Sequence, residues 1–132
     1  MDLMSRIMED EGWVSQHFRR HELACPCCGL YLENKTLLSA LEKLREALGD
    51  RAIHVLSGTR CPQRNEEVGG ANRSKHLYGQ AADIVVSGKV PDEVAEVART
   101  IEPFSHGGIG VYALKGFTHL DVRTDGPARW RG

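Results

Sequence analysis

The residues able to do chemistry gather in two stretches. Ser74-Lys75-His76-Leu77-Tyr78-Gly79-Gln80-Ala81-Ala82-Asp83 carries a histidine and an aspartate seven positions apart, with Gly79, Ala81 and Ala82 between them. Phe117-Thr118-His119-Leu120-Asp121-Val122-Arg123 follows further along. Together they supply His76, Asp83 and His119. A His/Asp/His set leaves a zinc ion one open coordination position for water, so the chemistry to expect is hydrolysis. A turn that brings two ligands to one ion needs little bulk between them, and the small residues provide that. Taken alone, a His–Asp pair at this spacing also fits a surface histidine and an ordinary aspartate.

The second stretch adds a periodicity. Residues two apart in a strand face the same way. His119, Asp121 and Arg123 therefore line one face, and Thr118, Leu120 and Val122 the other. A polar row is costly toward a core unless it lines a site. The competing reading is a solvated sheet face.

The elements that must position these residues follow from pattern. Leu37, Leu38, Leu41, Leu44 and Leu48 recur at helical spacing and predict a helix over 36–48, with Asn34 or Thr36 as its cap and Gly49 as its stop. Its leucine stripe is core. Ala52-Ile53-His54-Val55-Leu56 predicts a short strand, with His54 alternating away from Ile53 and Val55 and not a ligand. A turn at 57–62 leads into one or two helical turns over 62–68, with Pro62 first. The spacing predicts a strand over 82–86, which places Asp83 near its start. A second helix over 91–101 has Pro91, Asp92 and Glu93 in its first turn and Val94, Val97, Ala98 and Ile101 on one face. Strands over 107–112 and 117–122 form a hairpin through 113–116. Residues 1–20 read as a short helix around Trp13, Val14 and Phe18, 24–29 as a tight loop, and 125–132 as a polar tail. The fold class is α+β: one domain over 1–132 with a small, mostly antiparallel sheet and flanking helices. Residues 1–33 hold the N-terminal helix and Cys-rich loop, and 34–130 the core.

Bulk properties exclude several classes. A chain of 132 residues is long enough for one hydrophobic core. A net charge of −1 gives no electrostatic case for nucleic acid or an anionic membrane. The apolar runs are too short to span a bilayer. The N-terminus lacks an apolar signal region, so the expectation is synthesis in the cytoplasm without a cleaved signal peptide. The cysteines are Cys25, Cys27, Cys28 and Cys61. They read first as small buried thiols with one disulfide. A structural zinc site of all four is the less favoured reading, because adjacent Cys27 and Cys28 depart from the usual ligand spacing. A redox role needs a reactive pair near a strand–helix junction, which the 25–28 loop lacks.

In order along the chain come Ser57-Gly58-Thr59-Arg60, then Ser74-x-His76-x-x-Gly79-x-Ala81-x-Asp83, then Gly108-Ile109-Gly110 and His119-x-Asp121-x-Arg123. These spaced motifs resemble the zinc D-Ala-D-Ala carboxypeptidase-like family, peptidase M15, and its short branch of bacterial murein endopeptidases and phage lysis enzymes. The resemblance runs over about 37–130, and the Cys-rich loop resembles members of that branch too. It implies a D-Ala-D-Ala carboxypeptidase/hedgehog-like fold around a zinc site. It also implies that His76, Asp83 and His119 hold Zn2+, that Arg60 faces the substrate, and that Ser74 lies close to the metal loop. A planar, permanently charged guanidinium suits pairing with a carboxylate or polarising a carbonyl.

Many members place an acidic general base three residues before the last histidine, where this chain has Gly116. Asp121 is the nearest substitute as base, or else it orients His119. His106 is a further candidate for contacting the transition state. The function implied is a zinc-dependent peptidoglycan peptidase, cleaving a peptide bond in the murein stem peptide or cross-link through a metal-activated water. Peptidoglycan stem peptides are the expected partner, the cell wall or periplasm the site of action, and a monomer the expected state. The alternative is a catalytically silent member that binds the cell wall or serves a structural role, motivated by the missing carboxylate at Gly116.

Overall fold

The leucine stripe of the long helix must be buried, and a five-stranded sheet buries it. The structure, a computed structural model, describes residues 12–132. Helix α1 is short (Arg20–Leu23), and α2 is the long one (Lys35–Ala47). They are followed by β1 (Ile53–Ser57), α3 (Pro62–Glu67), a 3-10 turn (Lys75–Tyr78), β2 (Ala81–Val86) and α4 (Pro91–Ala98). A second 3-10 turn (Phe104–His106) precedes β3 (Gly108–Tyr112), β4 (Phe117–Asp121) and β5 (Ala128–Arg131).

Local chemistry sets the ends of α2. The Asn34 side chain accepts from the Leu37 N–H at 2.9 Å, satisfying one of the free donors of the first turn. Gly49 at φ 80° and Asp50 at φ 60° then turn the chain away. Leu37, Leu38, Ala40, Leu41 and Leu44 are all buried.

The strand order is β1-β2-β4-β3-β5. All pairings are antiparallel except β3 with β5. Alternate residues, among them Ile53, Ala82, Ile84, Ile109 and Leu120, join the α2 leucines and Val94 and Ala98 of α4 in one core. The Thr118 hydroxyl donates to the Pro91 carbonyl at 3.1 Å and ties β4 to the start of α4. The intervening residues of β2 and β4 then point away from the core. In that register Asp83 sits opposite His119, and Ala81 opposite Asp121. No helix among the described residues is long and apolar enough to cross a membrane.

Three expectations change. Residues 1–11 of the N-terminal helix lie outside the described residues. Over the rest of that stretch Trp13 and Arg19 form an isolated antiparallel bridge, and helix occurs only at Arg20–Leu23. The cause is Glu42 of α2. Its carboxylate takes the Ser15 hydroxyl at 2.9 Å, the His17 N–H at 2.8 Å and His17 Nδ1 at 2.6 Å, while Phe18 plugs the core. Second, α4 stops at Ala98 rather than running on to 101. Third, the polar tail contains β5, whose parallel pairing with β3 seats Gly110 beside Trp130.

Leu41 is fully buried and Leu114 fully exposed. Leu41→Ala should lower the unfolding free energy by about 2–5 kcal/mol. Leu114→Ala should change it by less than about 0.5 kcal/mol. Urea titration of both variants checks the packing of α2 against the sheet.

Candidate metal centre

Three buried polar residues meet between the 3-10 turn, β2 and β4. The 3-10 turn starts at Ser74, whose hydroxyl oxygen accepts from the His76 N–H at 3.3 Å, and closes at Gly79 in the left-handed region, φ 69°. A Cβ at Gly79 would also press on the Leu32 backbone and side chain. Only glycine satisfies both demands. The turn drives His76 inward, opposite the cross-strand pair Asp83 and His119.

The two imidazoles are oriented from behind. His76 Nδ1 lies 2.7 Å from the Gly58 carbonyl, which can only accept, so Nδ1 carries the proton. Nε2 of His76 is left facing inward, buried and without a hydrogen-bond partner. It lies 3.2 Å from Asp83 Oδ1 but is misaligned for a hydrogen bond. His119 Nε2 lies 2.8 Å from Asp121 Oδ2, and its Nδ1 lies 2.9 Å from Asp83 Oδ1. One nitrogen from each histidine and one Asp83 oxygen thus converge, all within 4.8 Å of one another. Such convergence of lone pairs, each fixed by an outer partner, is the arrangement that holds a divalent metal.

Charge is managed in the same way. Burial works to raise the pKa of Asp83, but His119 and His76 outweigh it and hold the carboxyl well below the usual carboxylate range. Asp83 Oδ2 takes a hydrogen bond from Arg60 at 3.2 Å. Arg60 is itself held by the Ser57 hydroxyl at 3.0 Å and Asn65 Oδ1 at 3.3 Å. Burial lowers the pKa of His119, yet Asp121 and Asp83 outweigh that effect and raise it.

Asp121 is fully buried. Its Oδ1 accepts from the Gly108 N–H at 2.8 Å and Arg123 Nε at 2.8 Å, and its Oδ2 from Arg123 Nη2 at 2.7 Å. Burial alone would raise its pKa, and the bonds from Arg123 and His119 instead hold it well below the carboxylate range.

The two glycines of β3 make room for these groups. A Cβ at Gly108 would lie 2.7 Å from the Asp121 carboxyl carbon, and one at Gly110 would lie 2.5 Å from Trp130 Nε1. Trp130 covers His119, with ring centroids 4.9 Å apart, and anchors its own Nε1–H on the Tyr112 hydroxyl at 2.8 Å.

The centre opens into a cleft of about 740 Å³ lined by Arg60, Ser74, His76, Asp83, His119 and Trp130. Arg73, Lys75, Lys115, Arg123 and Asp125 also border it. Arg60, Ser74, His76, Asp83 and His119, singled out in the sequence, are therefore brought together. Asp121 is brought to the centre but behind His119, on the ring edge away from the convergence point.

His106 is not brought there. It is exposed, 3.3 Å from Glu102, and does not line the cleft. The cause is local, because the 3-10 turn Phe104–His106 spends its inward position on Phe104. Sequence reasoning missed the Gly58 carbonyl, Asn65 and Trp130. The roles of Gly58 and Trp130 depend on partners far along the chain, and that of Asn65 on the local fold that brings it to Arg60, although Gly58 and Gly110 stand in motifs already picked out. The expected cysteine chemistry also changes: among the four cysteines Cys25 alone is buried, and none is joined in a disulfide.

The family model described as Peptidase M15 matches residues 16–121, and the chain belongs to the peptidase M15 family. It is 41% identical over 59 residues to the zinc D-Ala-D-Ala carboxypeptidase of Streptomyces albus G, covering 45% of this chain and 23% of that protein. It is 34% identical over 91 residues to the probable peptidoglycan L,D-endopeptidase MepK of Haemophilus influenzae, covering 64% of this chain and 46% of that one. The aligned segments thus span less than half the length of either relative.

Nitrogen-15 NMR of the imidazole side chains tests this geometry directly. His76 should show a protonated, hydrogen-bonded Nδ1, because only that nitrogen faces the Gly58 carbonyl. A spectrum in which His76 Nδ1 is the bare nitrogen would contradict the arrangement.

Proposed function

We propose that the chain is a zinc-dependent peptidoglycan peptidase that hydrolyses a peptide bond of the murein stem peptide or cross-link. The observation that carries this reading is the buried, unpartnered His76 Nε2 aimed at Asp83 and His119. An orphaned buried nitrogen costs about 1–3 kcal/mol unless something binds it. His76 Nε2, Asp83 Oδ1 and His119 Nδ1 would hold the ion. Zinc bound there supplies Lewis acidity and lowers the pKa of a bound water from about 15.7 toward about 7.

The chain's own residues do the rest. The Gly58 carbonyl holds His76 by Nδ1, and Asp121 orients His119 by Nε2, leaving the other nitrogen of each ring free. Asp121 is a positioning residue in this account. Its oxygens are occupied by Gly108, His119 and Arg123, and the His119 ring stands between it and the convergence point. Arg60 fixes the outer oxygen of Asp83 while bordering the cleft, where its remaining N–H groups can meet a substrate carboxylate or carbonyl. The Ser74 hydroxyl caps the metal turn and faces the same cleft.

The five cations lining the cleft, Arg60, Arg73, Lys75, Lys115 and Arg123, against Asp83 and Asp125, suit a peptide rich in carboxylates. Stem peptides have that character. The names of the two relatives support a cell-wall substrate, with the wall or periplasm as the place of action. A second reading, a metal-binding member without turnover, is favoured by one feature. Gly116 has open space around it, and Asp125, the other carboxylate bordering the cleft, is paired with Lys75 at 3.6 Å.

Purified muropeptides incubated with the zinc-loaded protein and analysed by mass spectrometry decide between the readings. Chelator-sensitive loss of a terminal D-alanine means a carboxypeptidase, and cleavage within the stem or cross-bridge an endopeptidase. No product from folded, zinc-loaded protein favours the silent member. His76→Ala should abolish both zinc binding at this centre and cleavage while leaving the far-UV circular dichroism intact; retained cleavage sinks the proposal. Asp121→Asn should weaken zinc binding here by about 10–100-fold, measured by chelator competition.

A further inference from the structure

Away from the histidine centre, four sulfurs from two distant segments meet. Cys25, Cys27 and Cys28 come from the loop after α1, and Cys61 from the turn between β1 and α3, 36 positions beyond Cys25. The sulfur separations are 3.6 Å for Cys25–Cys27, 3.7 Å for Cys25–Cys61 and 3.1 Å for Cys27–Cys61. All four Sγ atoms lie within 4.8 Å of one another.

A disulfide joins two sulfurs at about 2.05 Å and leaves the other two aside. This arrangement is a cluster around a shared centre. Four thiolates at about 2.3 Å from a tetrahedral zinc ion stand about 3.8 Å apart. We propose that Cys25, Cys27, Cys28 and Cys61 form a structural zinc site, separate from the histidine centre.

Three further features support it. The backbone is arranged to favour thiolates: the Cys61 N–H donates to Cys25 Sγ at 3.5 Å, and the Arg64 N–H to Cys61 Sγ at 3.4 Å. The loop is folded around the sulfurs. The Cys25 N–H donates to the Leu30 carbonyl at 2.7 Å and the Gly29 N–H to the Cys25 carbonyl at 2.8 Å, with Gly29 at φ 77°. This turn lets adjacent Cys27 and Cys28 both reach one side, which their spacing argued against.

The loop also has no apolar anchor of its own. Pro26 through Leu30 are all exposed, and Cys25 is the one buried member. A segment with so little core to hold it is where a metal supplies stability. Zinc takes the four sulfurs as thiolates, and the displaced protons pass to solvent.

The site has a structural consequence for the histidine centre. Cys61 follows Arg60, which holds Asp83, and the same turn carries the Gly58 carbonyl that holds His76. The turn is otherwise joined to the N-terminal segment by the Thr59 N–H to the Leu23 carbonyl at 2.8 Å and the Leu32 N–H to the Thr59 hydroxyl at 3.2 Å. A metal clip closes this junction from the other side. The inference does not rest on the peptidase reading.

The test uses the full chain, purified under reducing conditions without chelator, as wild type, as a His76→Ala/His119→Ala double variant, and as a Cys27→Ser/Cys61→Ser double variant. Zinc is counted by elemental mass spectrometry, and cobalt is substituted to read the near-ultraviolet thiolate-to-metal band. The histidine variant should keep one zinc per chain and show the thiolate band with cobalt. The cysteine variant should lose the thiolate band and carry one zinc fewer than the wild type. In the wild type, an aromatic disulfide reagent should react with the four thiols only after zinc is stripped, which keeps the test decisive if the cysteine variant does not fold. One zinc in both the wild type and the histidine variant would support this site while removing the zinc from the histidine centre. A folded histidine variant without zinc, free reactive thiols in the native wild type, or a disulfide among these cysteines in non-reducing peptide mass analysis would overturn it.

Discussion

The structure turns on one contact, the meeting of Asp83 and His119 across β2 and β4 with His76 closing from the 3-10 turn. Three polar side chains buried together are expensive, because each gives up water. The cost is met from outside the triangle. His76 leans on the Gly58 carbonyl, His119 on Asp121, and Asp83 on Arg60. Each outer partner is in turn held by the fold: Asp121 by Gly108 and Arg123, Arg60 by Ser57 and Asn65. Of the inward-facing atoms, His76 Nε2 is left without a hydrogen-bond partner. That imbalance, more than the presence of two histidines and an aspartate, makes the triangle a candidate metal centre.

The fold reads as a device for holding that triangle. The β2–β4 register places Asp83 opposite His119. The core on the other face, built by the α2 leucines, makes that register hard to change, since a slip of one residue would send Leu120 to the cleft and His119 into the core. Gly108 and Gly110 keep β3 thin where Asp121 and Trp130 must fit. Basic residues then border the opening, which makes the cleft more positive than the near-neutral chain as a whole.

What was legible in the sequence was what local physics decides. The leucine period gave α2, with Asn34 as its cap, and alternation put His119 and Asp121 on one face of β4. The ordered motifs placed the residues of the centre. What stayed hidden depends on distant partners. Ala128–Arg131 becomes β5 only by pairing with β3, which its own Arg and Trp residues do not announce. The apolar residues near the N-terminus looked helical, but Glu42 of α2 captures Ser15 and His17 and holds them in an irregular turn. His106 adjoins the glycines of β3 in sequence and yet faces solvent, since Phe104 takes the core position of that turn. Spacing alone argued against the four cysteines sharing one centre, and a left-handed Gly29 removes the objection.

The most direct test of the central claim is an anomalous difference map recorded on either side of the zinc edge, from crystals grown with zinc present. The account predicts an edge-dependent peak at about 2.0–2.2 Å from His76 Nε2, an Asp83 oxygen and His119 Nδ1, with His119 Nε2 still on Asp121. An ordered water at that point, with no anomalous signal and the three side chains in place, would contradict it.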